Sequence, residues 1–218
     1  MTDHETLRGR TVVVWGAGGH AAVVAEAVEA AGGTVAALLD DTADAPDAVG
    51  ERRVLHSLEA AAALVPTPAV ALGVGANAVR RGLGARAAGS GLDVVAVVHP
   101  RAWVSPSATL GPGAVVMAGA VVQARCRVGA AAVVNTGATV DHDCTLGEGA
   151  HVSPGAHLSG WVTMGEDAWV GTGASVRDRV TIGARAVVGV GAAAVRDLGA
   201  DVVAFGVPAR PASSSRTP

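Results

Sequence analysis

Lysine and tyrosine are absent from this chain, and phenylalanine occurs once. Without lysine there is no Schiff-base nucleophile and no lysine general base. The 16 basic residues are therefore all arginines, set against 19 Asp and Glu, for a formal net charge of −3. That balance lacks the basic footprint that nucleic-acid binding requires. Half of the residues are hydrophobic, but they are mostly Ala and Val, interrupted every few positions by Gly or a polar residue. No apolar run approaches the ~18 residues of a membrane span. The opening segment MTDHETLRGR lacks the charged-then-apolar order of a signal peptide, so a cytoplasmic location is expected. Only two cysteines occur, Cys126 and Cys144, 18 residues apart, too few for a disulfide framework.

What the chain has in abundance is a six-residue repeat. From Val104 the aliphatic positions run Val104, Leu110, Val116, Val122, Val128, Val134, Val140 and Leu146. They continue with Val152, Leu158, Met164, Val170, Val176, Ile182, Val188 and Ala194. Four residues after each stands a small or apolar residue, as in Ala108, Ala114, Ala120, Cys126, Ala132, Ala138 and Cys144. A period of six suits neither an α-helix nor a simple alternating strand. It suits a coil with three flat faces, in which one aliphatic side chain per face points inward and a small residue lets the corner turn. The expected architecture is a left-handed parallel β-helix of about five coils. The two cysteines then stack one coil apart in the inward slot. Parallel neighbours at about 4.8 Å are too far apart for the ~3.8 Å Cβ separation of a disulfide, so buried free thiols are expected. No insertion breaks the count, so no long loop leaves the coil.

The first hundred residues differ in texture. Thr11–Trp15 reads as a strand, Ala21–Ala31 as a helix stopped by Gly32-Gly33, and Thr34–Leu39 as a second strand. Leu58–Leu64 and Asn77–Gly89 read as helices, and Ala69–Leu72 and Leu92–Val98 as strands. This alternation implies a parallel α/β sheet of Rossmann-like type. The expected domains are residues 1–100, a Rossmann-like unit, and residues 101–218, the left-handed β-helix with a C-terminal tail.

Gly16-Ala17-Gly18-Gly19-His20 lies between the first strand and first helix, where glycines let backbone N–H groups approach a phosphate. Asp40 and Asp41 end the second strand, at the spacing of a ribose-binding acid. Gly75, Asn77 and Arg80 follow the Ala69–Leu72 strand at the same sheet edge, with Arg80 a candidate for phosphate or base contact. A unit this small suits a mononucleotide or nucleotide sugar better than a dinucleotide, and no nicotinamide site is found.

On the repeat, His142 stands between Asp141 and Asp143. A neighbouring carboxylate can hold an imidazole tautomer and stabilise its charged form, which makes His142 a candidate general base. His151 and His157 fall on different faces, whereas catalytic zinc needs three converging protein ligands. No metal is expected. A non-catalytic sugar-nucleotide-binding trimer is a further reading, against which the Asp141-His142-Asp143 cluster speaks.

Together, the Gly16–His20 loop, Leu38-Leu39-Asp40-Asp41, Gly75-x-Asn77-x-x-Arg80, His99-Pro100, Val134-Asn135-Thr136, Asp141-His142-Asp143, His151-Val152-Ser153-x-Gly155 and Gly206-Val207-Pro208-Ala209-Arg210 carry a resemblance. The chain resembles the sugar O- and N-acetyltransferases of the sialic-acid and bacillosamine-pathway (PglD-like, NeuD-like) type over nearly its whole length. The resemblance implies acetyl-CoA as acyl donor and a sugar acceptor, an amine on a nucleotide-linked 4-amino-sugar or, alternatively, a sugar or sialic-acid-like hydroxyl. It implies a homotrimer with active sites between adjacent subunits. It implies His142 as base, Asp143 (or Asp141) as its orienting acid, and His151 and Asn135 near the acetyl group. It further implies Gly16, Gly18, Gly19, His20, Asp40, Asp41, Gly75, Asn77 and Arg80 around the nucleotide sugar. Acetyl-CoA would run past Gly155, Gly160, Gly173 and Gly191 towards Pro208 and Arg210.

Overall fold

The structure, a computed structural model, describes residues 7–212. Its N-terminal part begins with β1 (Thr11–Trp15), α1 (Gly19–Ala30), β2 (Thr34–Leu39), β3 (Ala48–Val49) and β4 (Arg52–Leu55). α2 (Leu58–Ala62), β5 (Ala69–Leu72) and α3 (Asn77–Gly89) complete it. The sheet order is β3-β4-β2-β1-β5, with every pairing parallel except β3 to β4. β1 and β5 are buried along almost their whole length, as β-branched and apolar runs covered on both faces must be. The β3–β4 hairpin has no counterpart in the sequence pattern, because its strands are only two and four residues long and β4 opens on two arginines.

From Val97 onward the chain is a left-handed parallel β-helix of two-residue strands. One face stacks Val97–Val98, Val115–Val116, Val133–Val134, His151–Val152, Trp169–Val170 and Val187–Val188. The second stacks Trp103–Val104 through Val121–Val122, Thr139–Val140, His157–Leu158 and Ser175–Val176 to Ala193–Ala194. The third runs from Thr109–Leu110 to Thr181–Ile182. Each rung pairs with the one 18 residues away, as three hexads per coil require. The inward aliphatic and small residues make one continuous core, from Ala108 to Ala204. Both cysteines are free and lie within it.

The strand expected at Leu92–Val98 is divided between the two parts. Val94 bridges to Val70, whereas Val97–Val98 pairs with Val115–Val116 and is already the first rung of the β-helix. The N-terminal part rests on the first face: Val115, Met117 and Val133 share a buried cluster with Val12, Ala21, Val24 and Val28.

The corners differ in a way that matters below. Between the first and second faces the left-handed position is Gly at 119, 137, 155, 173 and 191. Between the second and third faces it is Arg125, Asp143, Trp161 and Arg179, all with φ near +60°.

Candidate active site

Gly16 has φ +130°, and a Cβ there would meet the Gly73 carbonyl oxygen at 2.7 Å. A Cβ on Gly73 would in turn strike the Ala21 backbone at 2.7 Å. These two glycines let β1, β5 and α1 converge; Gly73, missed in the sequence reading, is as constrained as Gly16. Gly18 is the N-cap of α1, offers no side-chain cap, and is followed by no acid in the first turn. The N–H groups that open this 12-residue helix are thus left for an anion. At the neighbouring strand end, Asp40 Oδ1 accepts from Thr42 N at 3.1 Å and Thr42 Oγ1 at 2.6 Å. Asp41 accepts from Arg86 at 2.7 Å, which holds its carboxyl below the usual carboxylate range. Arg86 also lies over the Trp15 ring at 5.0 Å. Asp41 is therefore already committed, while Asp40 keeps an oxygen free of protein partners among the described residues.

Arg80 is where the structure departs most from expectation. It is fully buried, and all five of its donors are taken. Nε donates to Ala131 O at 2.7 Å, Nη1 to Val74 O and Gly75 O at 3.0 and 2.9 Å, and Nη2 to Asn77 Oδ1 and Gly149 O at 3.0 and 2.8 Å. No donor remains for a phosphate or base. Asn77 Nδ2 donates to Asp167 O at 3.1 Å, and Arg81 pairs with Asp167 at 2.9 Å and Glu166 at 3.0 Å. The Gly75-x-Asn77-x-x-Arg80 motif is thus the fastening between the two parts of the chain. Burial lowers the Arg80 pKa to about 10, with Asp167 opposing the shift.

At that same seam His151 and His20 face one another, ring centroids 6.5 Å apart. Asn135 Nδ2 lies 3.1 Å from His151 Nε2, so these two expected residues do meet. Trp169 stacks parallel on His151 at 5.7 Å and donates to Ser153 Oγ at 2.6 Å. Burial first, then the Arg80 charge, brings the His20 pKa down to about 4. The same causes, with His20 added, bring His151 to about 3. Both rings are neutral near pH 7, and His20 Nε2 and His151 Nδ1 are buried without a hydrogen-bond partner.

His142 stands elsewhere, at the corner between the second and third faces. Its Nδ1 lies 2.8 Å from Asp143 Oδ2, and Asp143 accepts two hydrogen bonds from Arg125, each 2.7 Å. Arg125 first, then His142, hold the Asp143 carboxyl far below the usual range. Asp141 Oδ1 accepts instead from the His142 backbone N–H at 2.7 Å. The division of labour is clear: Asp143 takes the ring and Asp141 the main chain. With Nδ1 donating to Asp143, Nε2 is the basic nitrogen. The ring lies over Gly160, where a Cβ would come within 2.8 Å of Cε1. Beside this corner, on the second face, a groove of about 310 Å³ is lined by Gln123, Thr139, Asp141, His157 and Ser159.

Of the residues expected along the acyl donor, Gly155, Gly173 and Gly191 occupy one corner column, all with positive φ. Gly160 belongs to the His142 corner. Pro208 and Arg210 lie in the final turn and strand, Arg210 paired with Phe205. Among the described residues, no three His, Cys, Asp or Glu side chains gather as metal ligands, and no helix is long and apolar enough to cross a membrane.

The family model described as the PglD N-terminal domain matches residues 11–86. Among solved structures, the acetyltransferase domain of PglB from Neisseria gonorrhoeae in complex with acetyl coenzyme A is 40% identical, covers 94% of this chain and 100% of its own, and superposes with a TM-score of 0.87. A histidine-to-asparagine mutant of perosamine N-acetyltransferase from Caulobacter crescentus, in complex with CoA and GDP-perosamine, is 43% identical, covers 94% and 97%, and has a TM-score of 0.89. WeeI from Acinetobacter baumannii, 24% identical over 93% of this chain and 100% of its own, shares the fold with a TM-score of 0.85. No curated protein matches the chain.

Proposed function

This chain belongs to the PglD-like family of sugar acetyltransferases, and from that premise we propose that it transfers acetyl from acetyl-CoA to the amine of a 4-amino-sugar carried on a nucleoside diphosphate. The observation that carries this reading is 43% identity, over 94% of the chain, to an enzyme held with CoA and GDP-perosamine. The geometry fits that chemistry. The Gly16–Gly19 loop and the start of α1 offer N–H groups to a diphosphate, and Asp40 stands at the adjacent strand end for ribose.

In the reaction, the amine nitrogen attacks the thioester carbonyl carbon while His142 Nε2 accepts its proton. Asp143, fixed by Arg125, stabilises the imidazolium that results. Collapse of the tetrahedral intermediate breaks the C–S bond, and the imidazolium protonates the departing thiolate. Neither buried cysteine has a part in this.

The fold also supports a trimeric assembly. The N-terminal part rests on the first face, whereas His142 projects from the corner between the other two. A sugar held by the N-terminal loops is thus on the far side of the coil from the His142 of its own chain. On this reading a second copy brings its own His142 corner to that sugar, and the working site lies between subunits.

The test is acetyl transfer followed by mass spectrometry, with acetyl-CoA and a panel of UDP-, GDP-, dTDP- and CMP-linked 4-amino sugars and their 4-hydroxy counterparts. An N-acetylated product from one amino sugar is expected. Acetylation of the hydroxyl series alone overturns the amine assignment, and no acetyl-CoA consumption with any acceptor overturns the transferase reading.

A further inference from the structure

The corner column at 125, 143, 161 and 179 breaks a steric rule three times. A positive φ near +60° brings Cβ against the following carbonyl, so it is ordinarily left to Gly, or to Asn and Asp. The corner between the first and second faces obeys, with Gly at 119, 137, 155, 173 and 191, whereas the corner between the third and first faces also carries side chains, at Ala131, Asp167 and Arg185. At the His142 corner the chain instead keeps Arg125 (φ +61°), Asp143 (+60°), Trp161 (+58°) and Arg179 (+59°). The backbone alone therefore does not single out the His142 corner; what its side chains touch does. Two of the four already have a place in the site, since Arg125 holds Asp143 and Asp143 holds His142.

The other two lie on the opposite side of the imidazole. The Trp161 ring stands edge-on to His142, centroids 4.4 Å apart at 87°, the preferred arrangement of an aromatic pair. Trp161 N–H donates to the His142 carbonyl at 3.0 Å, so ring and backbone are both tied to the same residue. Arg179 then lies over the indole, Cζ 4.2 Å from its centroid. No core demands this tryptophan, which remains 45% exposed. We infer that Trp161, braced by Arg179, is a positioning residue for His142. It closes the side of the ring that Asp143 leaves open, and the imidazole cannot swing away from the acceptor. The inference rests on the assignment of His142 as base.

The left-handed φ gives a clean test. Trp161→Gly removes the side chain at a position whose backbone suits glycine, and Trp161→Asn is a second variant that tolerates the same φ. For both, a melting temperature equal to or above that of the native chain is expected. Yet kcat should fall by about 10- to 100-fold, as loss of placement costs, while KM for acetyl-CoA and for the acceptor stays within about twofold. Trp161→Phe should recover most of kcat. On a His142→Ala background, Trp161→Gly should cost nothing more, since it acts through the lost ring.

Native kcat in Trp161→Gly and Trp161→Asn overturns the inference. So does a loss confined to KM, which would make Trp161 a substrate contact. If His142→Ala is inactive and Trp161→Gly fully active, only the positioning role fails. If His142→Ala is itself fully active, the base assignment fails as well.

Discussion

His142 and Asp143 are adjacent in sequence and also bonded through their side chains, Nδ1 to Oδ2 at 2.8 Å. A contact between neighbours of this kind needs the left-handed backbone of Asp143, φ +60°, which turns the carboxylate back towards the preceding ring. Arg125 completes the geometry with two bonds of 2.7 Å. Asp143→Asn is therefore expected to fold, because Asn accepts that φ. Its amide can donate to Nδ1 and so favour the wrong tautomer, lowering kcat by about 10²-fold or more. Steady-state kinetics near neutral pH checks this. The depressed carboxyl pKa also has a stability consequence: its contribution is present above about pH 4, the unfolded value, and is lost as pH falls below it. Between pH 6 and pH 3 the melting temperature of Asp143→Asn should decline less than that of the native chain.

Arg80→Ala would leave the buried carbonyls of Ala131, Val74, Gly75 and Gly149 without their donor. Loss of about 3 kcal/mol or more is expected in urea unfolding, with Arg80→Lys intermediate because its three donors cannot reproduce the fork. Affinity for the nucleotide sugar, measured where the variant is folded, should be unchanged. Weaker nucleotide binding at native stability would restore Arg80 to the phosphate site.

Much of this was legible in the sequence because the repeat is a ruler. An 18-residue coil predicts that Val122 stacks on Val140 and Cys126 on Cys144, as they do. The same ruler was able to find Trp161, which lies one coil beyond Asp143 and so beside His142. Arg80 was not legible by any such means. Its partners Ala131 and Gly149 are 51 and 69 residues away and offer only backbone carbonyls, which no side-chain pattern announces. An arginine that follows a Gly75-x-Asn77 turn at a sheet edge reads as a phosphate ligand until the docking of the two parts of the chain is known. The Leu92–Val98 run is apolar from Val94 onward and gives no sign that Val97 changes sheets.

Gly160→Ala isolates the His142 ring by a different route. Gly160 does not have a positive φ, so alanine meets no backbone penalty, and the three atoms nearest the added Cβ all belong to the imidazole, with Cε1 at 2.8 Å and Nε2 at 2.9 Å. The ring must move and the fold need not. A native melting temperature with kcat lowered by about 10-fold or more is expected. Native activity would show that the ring has slack at this corner.

The pair His20 and His151 should make stability fall with acidification. Both folded pKa values, about 4 and about 3, lie below the usual 6.5. Between those limits the unfolded chain binds protons that the native chain refuses, so unfolding free energy rises with pH in that window and is lost as pH drops through it. The refusal has a structural cause. A proton added at His20 Nε2 or His151 Nδ1 would be buried with no acceptor, beside the Arg80 charge. Once below about pH 6, each histidine contributes a slope of up to about 1.4 kcal/mol per pH unit. Urea midpoints measured at about pH 7.5 and pH 5 should differ accordingly, and His151→Asn should keep only the share of His20. A midpoint that does not change across that range would mean that a proton finds an acceptor at the seam, and that the two rings are not held neutral there.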